Sequence, residues 1–113
     1  MSNPSVLRFE RLIESNDVAK FMAEEEGYNN DPSQVVADAM HYCEHLSIDY
    51  QKNEDTARIL REHRTYTTPV HVLSDLIRWC ESNHYDWKDV VEKAEFYVLF
   101  DKGEINFFDC MMA

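Results

Sequence analysis

The chain has 113 residues and a formal net charge of −11, from 22 acidic and 11 basic side chains. This length predicts one domain, 1–113, and a hydrophobic share of 44% of the residues is enough for one ordinary core. The acidic balance disfavours direct nucleic-acid binding, which needs lysine and arginine. The absence of a signal-peptide pattern or a membrane-length apolar run predicts a soluble, cytoplasmic protein with no membrane contact.

Two helices are predicted within residues 1–30. The first has apolar residues at helical spacing from Val6 to Ile13. The second can be capped by Asp17, carries Phe21 on its apolar face, and should end near Gly27, because glycine favours the end of a helix. These helices should cover one side of the remaining structure.

An internal repeat follows: the segment from Asp31 to His63 reappears, 37 residues later, as Thr68 to Phe100. Each copy begins with a residue that can cap a helix, followed by proline at the first helical position. A period of this length indicates one supersecondary unit used twice. Seven positions are identical in the two copies: Pro32/Pro69, Val35/Val72, Asp38/Asp75, Cys43/Cys80, Glu44/Glu81, Asp49/Asp86 and Ala57/Ala94. The repeated Asp38/Asp75 position is expected to bond a neighbouring arginine or the end of a facing helix.

The predicted fold is therefore all-α, a small helical bundle of five or six helices. It is built around two repeated antiparallel helical hairpins, 31–63 and 68–100, which pack face to face. The second helix of the first hairpin should be shorter or less deeply buried, because residues 53–56 are polar. The C-terminal tail, 101–113, has no periodicity that decides its conformation.

The residues that could carry chemistry are few. Cys43 and Cys80 lie at equivalent core positions, and both are predicted to be buried free thiols. A zinc ion shared with His41, His45 and His84 is conceivable, but the histidine pattern does not recur between the copies and there is no Cys-x-x-Cys. Burial also disfavours an ionised cysteine nucleophile, and no glycine-rich phosphate loop is found. The sequence predicts no metal, no cofactor and no enzymatic activity.

Charged and aromatic residues suggest two kinds of protein-binding surface. Clustered acids that are predicted to face solvent can line a contact with a basic cleft on a partner; they are Glu24, Glu25, Glu26, Asp86, Asp89, Glu92 and Glu95. Such acids can mimic the phosphates of DNA if they form a ridge, or serve solubility alone. Three aromatic residues at the core edge can anchor a partner or a second copy, or cover the core; they are Tyr42, Trp79 and Trp87.

The segment from Val72 to Glu81, followed by Asp86-Trp87 and Ala94, resembles the core of small acidic orphan proteins of bacteriophages and bacterial mobile elements. Those chains have a similar helical hairpin with an aromatic–cysteine pair and an Asp-aromatic restart. The resemblance implies a setting in which small acidic proteins block host defence or nucleic-acid enzymes. We therefore expect a non-enzymatic inhibitor that occupies a basic nucleic-acid site of a host complex, of the anti-CRISPR or anti-restriction type. A homodimeric interaction module is the alternative.

Overall fold

The computed structural model describes residues 3–60 and 68–103. These residues form six helices and no strand, so the prediction of a small all-α bundle is confirmed. The helices are α1 (Pro4–Ser15), α2 (Val18–Glu24), α3 (Pro32–His45), α4 (Tyr50–Ile59), α5 (Pro69–Ser82) and α6 (Trp87–Asp101). None of the six is long and apolar enough to cross a membrane. The predictions for the C-terminal tail beyond residue 103 and for Cys110 lie outside the described residues.

The period of 37 residues is visible in the bounds of the helices. Both α3 and α5 have 14 residues and begin at the repeated proline. Each is followed by a residue in the left-handed region, Ser47 with φ 57° and His84 with φ 63°. The next helix is then capped by Asp49 or Asp86, whose side chain accepts a backbone N–H of the first turn. As predicted, α4 is shorter than α6, with 10 residues against 15.

The two helices of each repeat pack chiefly on the other repeat. Between the repeats, the most extensive interfaces join α3 to α6 and α4 to α5. Within each repeat, α3 contacts α4, and α5 contacts α6, only over short stretches. The prediction of two antiparallel hairpins packed face to face is therefore not confirmed. The apolar spacing of a helix shows that one face is buried, but it does not show which helix that face meets. The two amino-terminal helices are divided between the repeats: α1 packs on α3 of the first repeat, and α2 packs on α5 of the second.

The core lies along these interfaces and is made of apolar side chains from all six helices. Cys43 and Cys80 are buried free thiols, as predicted. Burial raises the pKa of the Cys43 thiol to about 11 and that of the Cys80 thiol to about 12. Both side chains are therefore neutral at physiological pH and behave as small apolar core residues.

A buried ion pair joins α1 to α3. Arg8 Nε lies 2.6 Å from Asp38 Oδ2, Arg8 Nη2 lies 2.9 Å from Oδ1, and Asp38 is 1% exposed. The guanidinium also lies over the ring of Tyr28, 5.1 Å from its centroid, and against Gly27, where a Cβ atom would be 2.1 Å from Nη1. The expectation that Asp38 bonds an arginine is confirmed, and the repeat partner Asp75 bonds Arg78 at 2.8 Å. Burial raises the pKa of Asp38, and Arg8 opposes that rise.

The repeats differ at one buried position of their second helices. Glu54 of α4 is 3% exposed and accepts hydrogen bonds from the Tyr50 hydroxyl at 3.0 Å and from Arg58 Nη2 at 3.3 Å. The equivalent positions of α6 hold the apolar side chains of Trp87 and Val91, which pack against the core. The buried carboxylate of Glu54 is thus compensated by hydrogen-bond donors from its own helix, as a buried charge requires.

Hydrogen bonds and ion pairs hold helix α6 against α3 along its length. Near its start, the Ser33 hydroxyl donates to the Val90 carbonyl at 2.9 Å. In its second half, the Tyr97 hydroxyl donates to Asp31 at 2.8 Å. At its end, Asp101 lies 3.1 Å from His41 Nε2, and Lys102 Nζ lies 2.6 Å from a carboxylate oxygen of α3. These contacts fix which face of α6 points away from the bundle.

Candidate protein-binding surface

Four exposed acids recur every third residue from the N-cap of α6 onward: Asp86, Asp89, Glu92 and Glu95. Asp86 is the N-cap and accepts the backbone N–H of Lys88 at 3.0 Å. Asp89, Glu92 and Glu95 have no ion-pair partner within the part of the chain that the structure describes. Uncompensated carboxylates on a fixed helix present a negative field to solvent, and such a field attracts basic partners.

An apolar patch continues the same outward face toward the end of α6. Phe96 is 43% exposed and Phe100 is 46% exposed, and residues four apart on a helix lie side by side. Leu99 lies beside them and lines, with Phe96, Glu92 and Glu95, a groove of about 330 Å³. We call the set of Asp89, Glu92, Glu95, Phe96, Leu99 and Phe100 the α6 surface.

The apolar part of the α6 surface was missed by the sequence analysis. The signal is present in the sequence, because apolar residues between positions 90 and 100 fall on both sides of the helix. Val90 and Ala94 are buried in the core, whereas Phe96 and Phe100 fall on the other side. When a helix with two apolar faces packs on a single neighbour, its second apolar face remains exposed to solvent.

The glutamates at the end of α2 form a separate group. Glu24 and Glu26 are exposed, as predicted. The prediction that Glu25 faces solvent is wrong, since Glu25 is half-buried and lies 3.2 Å from Arg11 Nη1. The reason is that α2 ends at Glu24, earlier than predicted, and the chain turns back toward α1 there. Since α2 packs on α1 and α5 while α6 packs chiefly on α3, the two acidic groups have different supporting helices.

The three predicted aromatic residues are each half-buried against the core. The Tyr42 ring lies 5.1 Å from that of Phe9 under α1, and burial raises the pKa of Tyr42. Trp79 stacks on Tyr85 with ring centroids 5.5 Å apart, and Tyr85 itself is exposed. The structure thus places these rings at the edge of the core, and their use as partner anchors stays a prediction.

A cleft of about 670 Å³ lies where the start of α1 meets the ends of α3 and α6. Its wall contains the buried His41, whose Nε2 is paired with Asp101, together with His45 and Ser5. A histidine–aspartate pair acts in nucleophilic catalysis when a hydroxyl or thiol lies within hydrogen-bond reach. Among the described residues, the hydrogen bond of the His41 ring is to Asp101, so its visible role is to hold α6 on α3.

The described residues include no set of side chains that is arranged to bind a metal ion. In the described ranges, no group of three or more histidine, cysteine, aspartate or glutamate side chains is placed to hold a metal ion. The candidate ligands of a shared zinc ion lie in different environments. Cys43 and Cys80 are buried in the core, whereas His84 lies in the exposed turn after α5.

Comparison with protein-family models, with curated proteins and with solved structures finds no match to this chain. The resemblance to phage and mobile-element orphan proteins therefore stays a prediction.

Proposed function

We propose that this chain is a non-enzymatic acidic binding protein that occupies a basic nucleic-acid site of a host defence or DNA-processing complex, as an inhibitor of the anti-CRISPR or anti-restriction type. The observation that carries the proposal is the row of exposed acids on α6, which includes Asp89, Glu92 and Glu95 without ion-pair partners in the described structure. An acidic row on a rigid helix is the feature that a basic cleft would recognise.

The spacing of this row supports a DNA mimic. Acids three residues apart on a helix are separated by about 4.5 Å along its axis, and each is rotated by about 60° from the one before. Phosphates along one strand of DNA are separated by about 3.4 Å along the duplex axis and also wind around it. The row from Asp86 to Glu95 thus presents a short line of negative charge at a comparable axial spacing, although it winds around α6 in the left-handed sense and a DNA strand winds in the right-handed sense.

The net charge of −11 supports fast association with a basic partner. Long-range attraction between opposite charges raises the association rate and makes it fall steeply with ionic strength. The same acidity repels DNA and RNA, so the partner is a protein.

A homodimeric interaction module is the second candidate. The observation that favours it is the stack of Trp79 on the exposed ring of Tyr85, because aromatic residues frequently anchor protein interfaces. Trp79→Ala would then abolish self-association, measured by sedimentation, and that self-association would be insensitive to salt.

The test is a phage plating assay in bacterial strains that each carry one defined CRISPR or restriction system. Expression of the chain is expected to restore plating in at least one strain. The triple variant Asp89→Lys/Glu92→Lys/Glu95→Lys should lose this effect. A control variant with the same charge change at exposed positions of α1 and α5 should keep most of it; its substitutions are Glu10→Lys, Glu14→Lys and Glu81→Lys.

Melting temperatures of both triple variants serve as the folding control, since exposed charges contribute little to stability. Restored plating in no strain contradicts the proposed function. Equal loss in both triple variants contradicts the assignment of the contact to α6.

A further inference from the structure

We propose that the α6 surface binds a basic amphipathic helix of the partner protein, with the apolar side of that helix seated on Phe96, Leu99 and Phe100 and its lysine and arginine residues facing Glu92 and Glu95. This proposal rests on the proposed function in one respect, namely that the chain acts by binding a basic protein surface. It adds the kind of element that is bound.

The apolar part of the α6 surface has the properties of an anchor site. Two phenylalanine rings are exposed over two-fifths of their area and lie one helical turn apart, next to a groove. Exposed aromatic patches bordered by polar residues mark interaction sites more often than isolated exposed residues do. In protein interfaces, the binding energy concentrates in such central aromatic residues, with a polar rim around them.

The surface is also held in place before any partner arrives. Ser33 holds the first turn of α6 through Val90, Asp31 holds its second half through Tyr97, and His41 holds its end through Asp101. A rigid binding face loses little conformational entropy on association. The exposed face is therefore a preformed site and not a mobile flap.

The chemistry of the rim selects the occupant. A second copy in a two-fold contact would bring a second set of the same carboxylates into the interface and no basic side chain of the α6 surface to pair with them, and such an excess of like charge is unfavourable. A purely basic loop would pair with the acids but leave both phenylalanine rings uncovered. A helix with apolar residues at every third or fourth position and basic residues beside them satisfies both parts of the surface.

The experiment measures fluorescence anisotropy of two synthetic peptides made of leucine, alanine and lysine, titrated with the full chain. One peptide has an amphipathic helical order, and the other has the same composition in an order with no apolar face. We expect the amphipathic peptide to bind at least about tenfold more tightly, because only it can cover the phenylalanine rings.

Variants locate the binding to α6. Phe96→Ala/Phe100→Ala should weaken binding of the amphipathic peptide at least about tenfold and leave its salt dependence unchanged. Leu46→Ala/Ile48→Ala is the matched control, because these apolar residues are similarly exposed in the turn after α3, and it should bind as the wild type does.

Equal affinity for the two peptides would overturn the docking proposal and leave the acidic-surface function standing. Absence of binding to either peptide would overturn both. Two further results would overturn the docking proposal by naming another occupant. One is a wild-type dimer, seen by sedimentation, that Phe96→Ala/Phe100→Ala converts to a monomer; the other is a gain in peptide affinity on Phe107→Ala/Phe108→Ala, which would assign the surface to the C-terminal residues of the chain.

Discussion

Replacement of Arg8 by methionine is expected to destabilise the fold strongly. Methionine keeps the apolar stem of the side chain but removes the two hydrogen bonds, of 2.6 and 2.9 Å, that Arg8 gives to Asp38. Asp38 is 1% exposed, so its carboxylate would remain buried without a counter-charge. Breaking a buried ion pair in this way costs about 3–5 kcal/mol, a large part of the roughly 5–15 kcal/mol that stabilises a typical domain. Urea denaturation measures the loss.

Two further variants serve as controls for the loss of stability expected in Arg8→Met. Asp75, the repeat counterpart of Asp38, pairs with Arg78 of its own helix, and both side chains are partly exposed. Arg78→Met should therefore cost about 1 kcal/mol or less. The double variant Arg8→Met/Asp38→Val removes both buried charges and should recover most of the stability, because apolar replacement of a whole buried pair is often close to neutral.

The loss in Arg8→Met should also depend on pH. Burial raises the pKa of Asp38 and Arg8 opposes that rise, so removing Arg8 raises the pKa further. Between the unfolded value of about 3.9 and this raised value, the folded variant binds more protons than the unfolded chain. Its free energy of unfolding therefore increases as the pH falls through that interval, and the deficit relative to wild type shrinks. A deficit below about 1 kcal/mol at pH 7, or one that is independent of pH, would refute this account of the ion pair.

Three further results are expected. The free energy of unfolding should fall above about pH 9, because the unfolded thiols of Cys43 and Cys80 ionise there while the buried ones stay protonated. Each thiol should contribute a fall of up to about 1.4 kcal/mol per pH unit. Urea titrations at a series of pH values measure this fall, and Cys43→Ala/Cys80→Ala should make it smaller. Gly27→Ala should lower the melting temperature, since its Cβ would lie 2.1 Å from Nη1 of the guanidinium, and an equal loss in the Arg8→Met background would contradict that cause. Tyr50→Phe removes a donor to the buried carboxylate of α4 and should cost about 1.5–3 kcal/mol in the same denaturation assay; an unchanged midpoint would mean that the other donors suffice.

The elements of this fold could be predicted because their signals are local. The cap and proline at Asp31-Pro32, and the aspartate caps before α4 and α6, act within one turn of the chain and place the helix starts to within a residue. The period of 37 residues added a second copy of each signal. The burial of Cys43 and Cys80 followed from the spacing of apolar residues along single helices.

The pairing of the helices could not be predicted, because it depends on which apolar faces meet after the chain folds. The spacing of apolar residues within a helix does not show that α3 packs on α6 and that α4 packs on α5. For the same reason, the sequence predicted that Asp38 bonds a neighbouring arginine or the end of a facing helix, but it did not identify Arg8, which lies 30 residues earlier. The sequence places apolar residues on two sides of α6, but only the packing of α3 on one side decides that Phe96 and Phe100 are left exposed on the other.

The central claim, that the acidic row of α6 occupies a nucleic-acid site, is tested most directly by competition with DNA. The defence complex that the plating assay identifies would be purified, and its dissociation constant for duplex DNA measured at increasing concentrations of this chain. The account predicts a competitive rise in the apparent dissociation constant, a rise that weakens steeply with salt and is lost in Asp89→Lys/Glu92→Lys/Glu95→Lys but kept in Glu10→Lys/Glu14→Lys/Glu81→Lys. A ternary complex in which the chain and the DNA are bound at once, with the affinity for DNA unchanged, would contradict it.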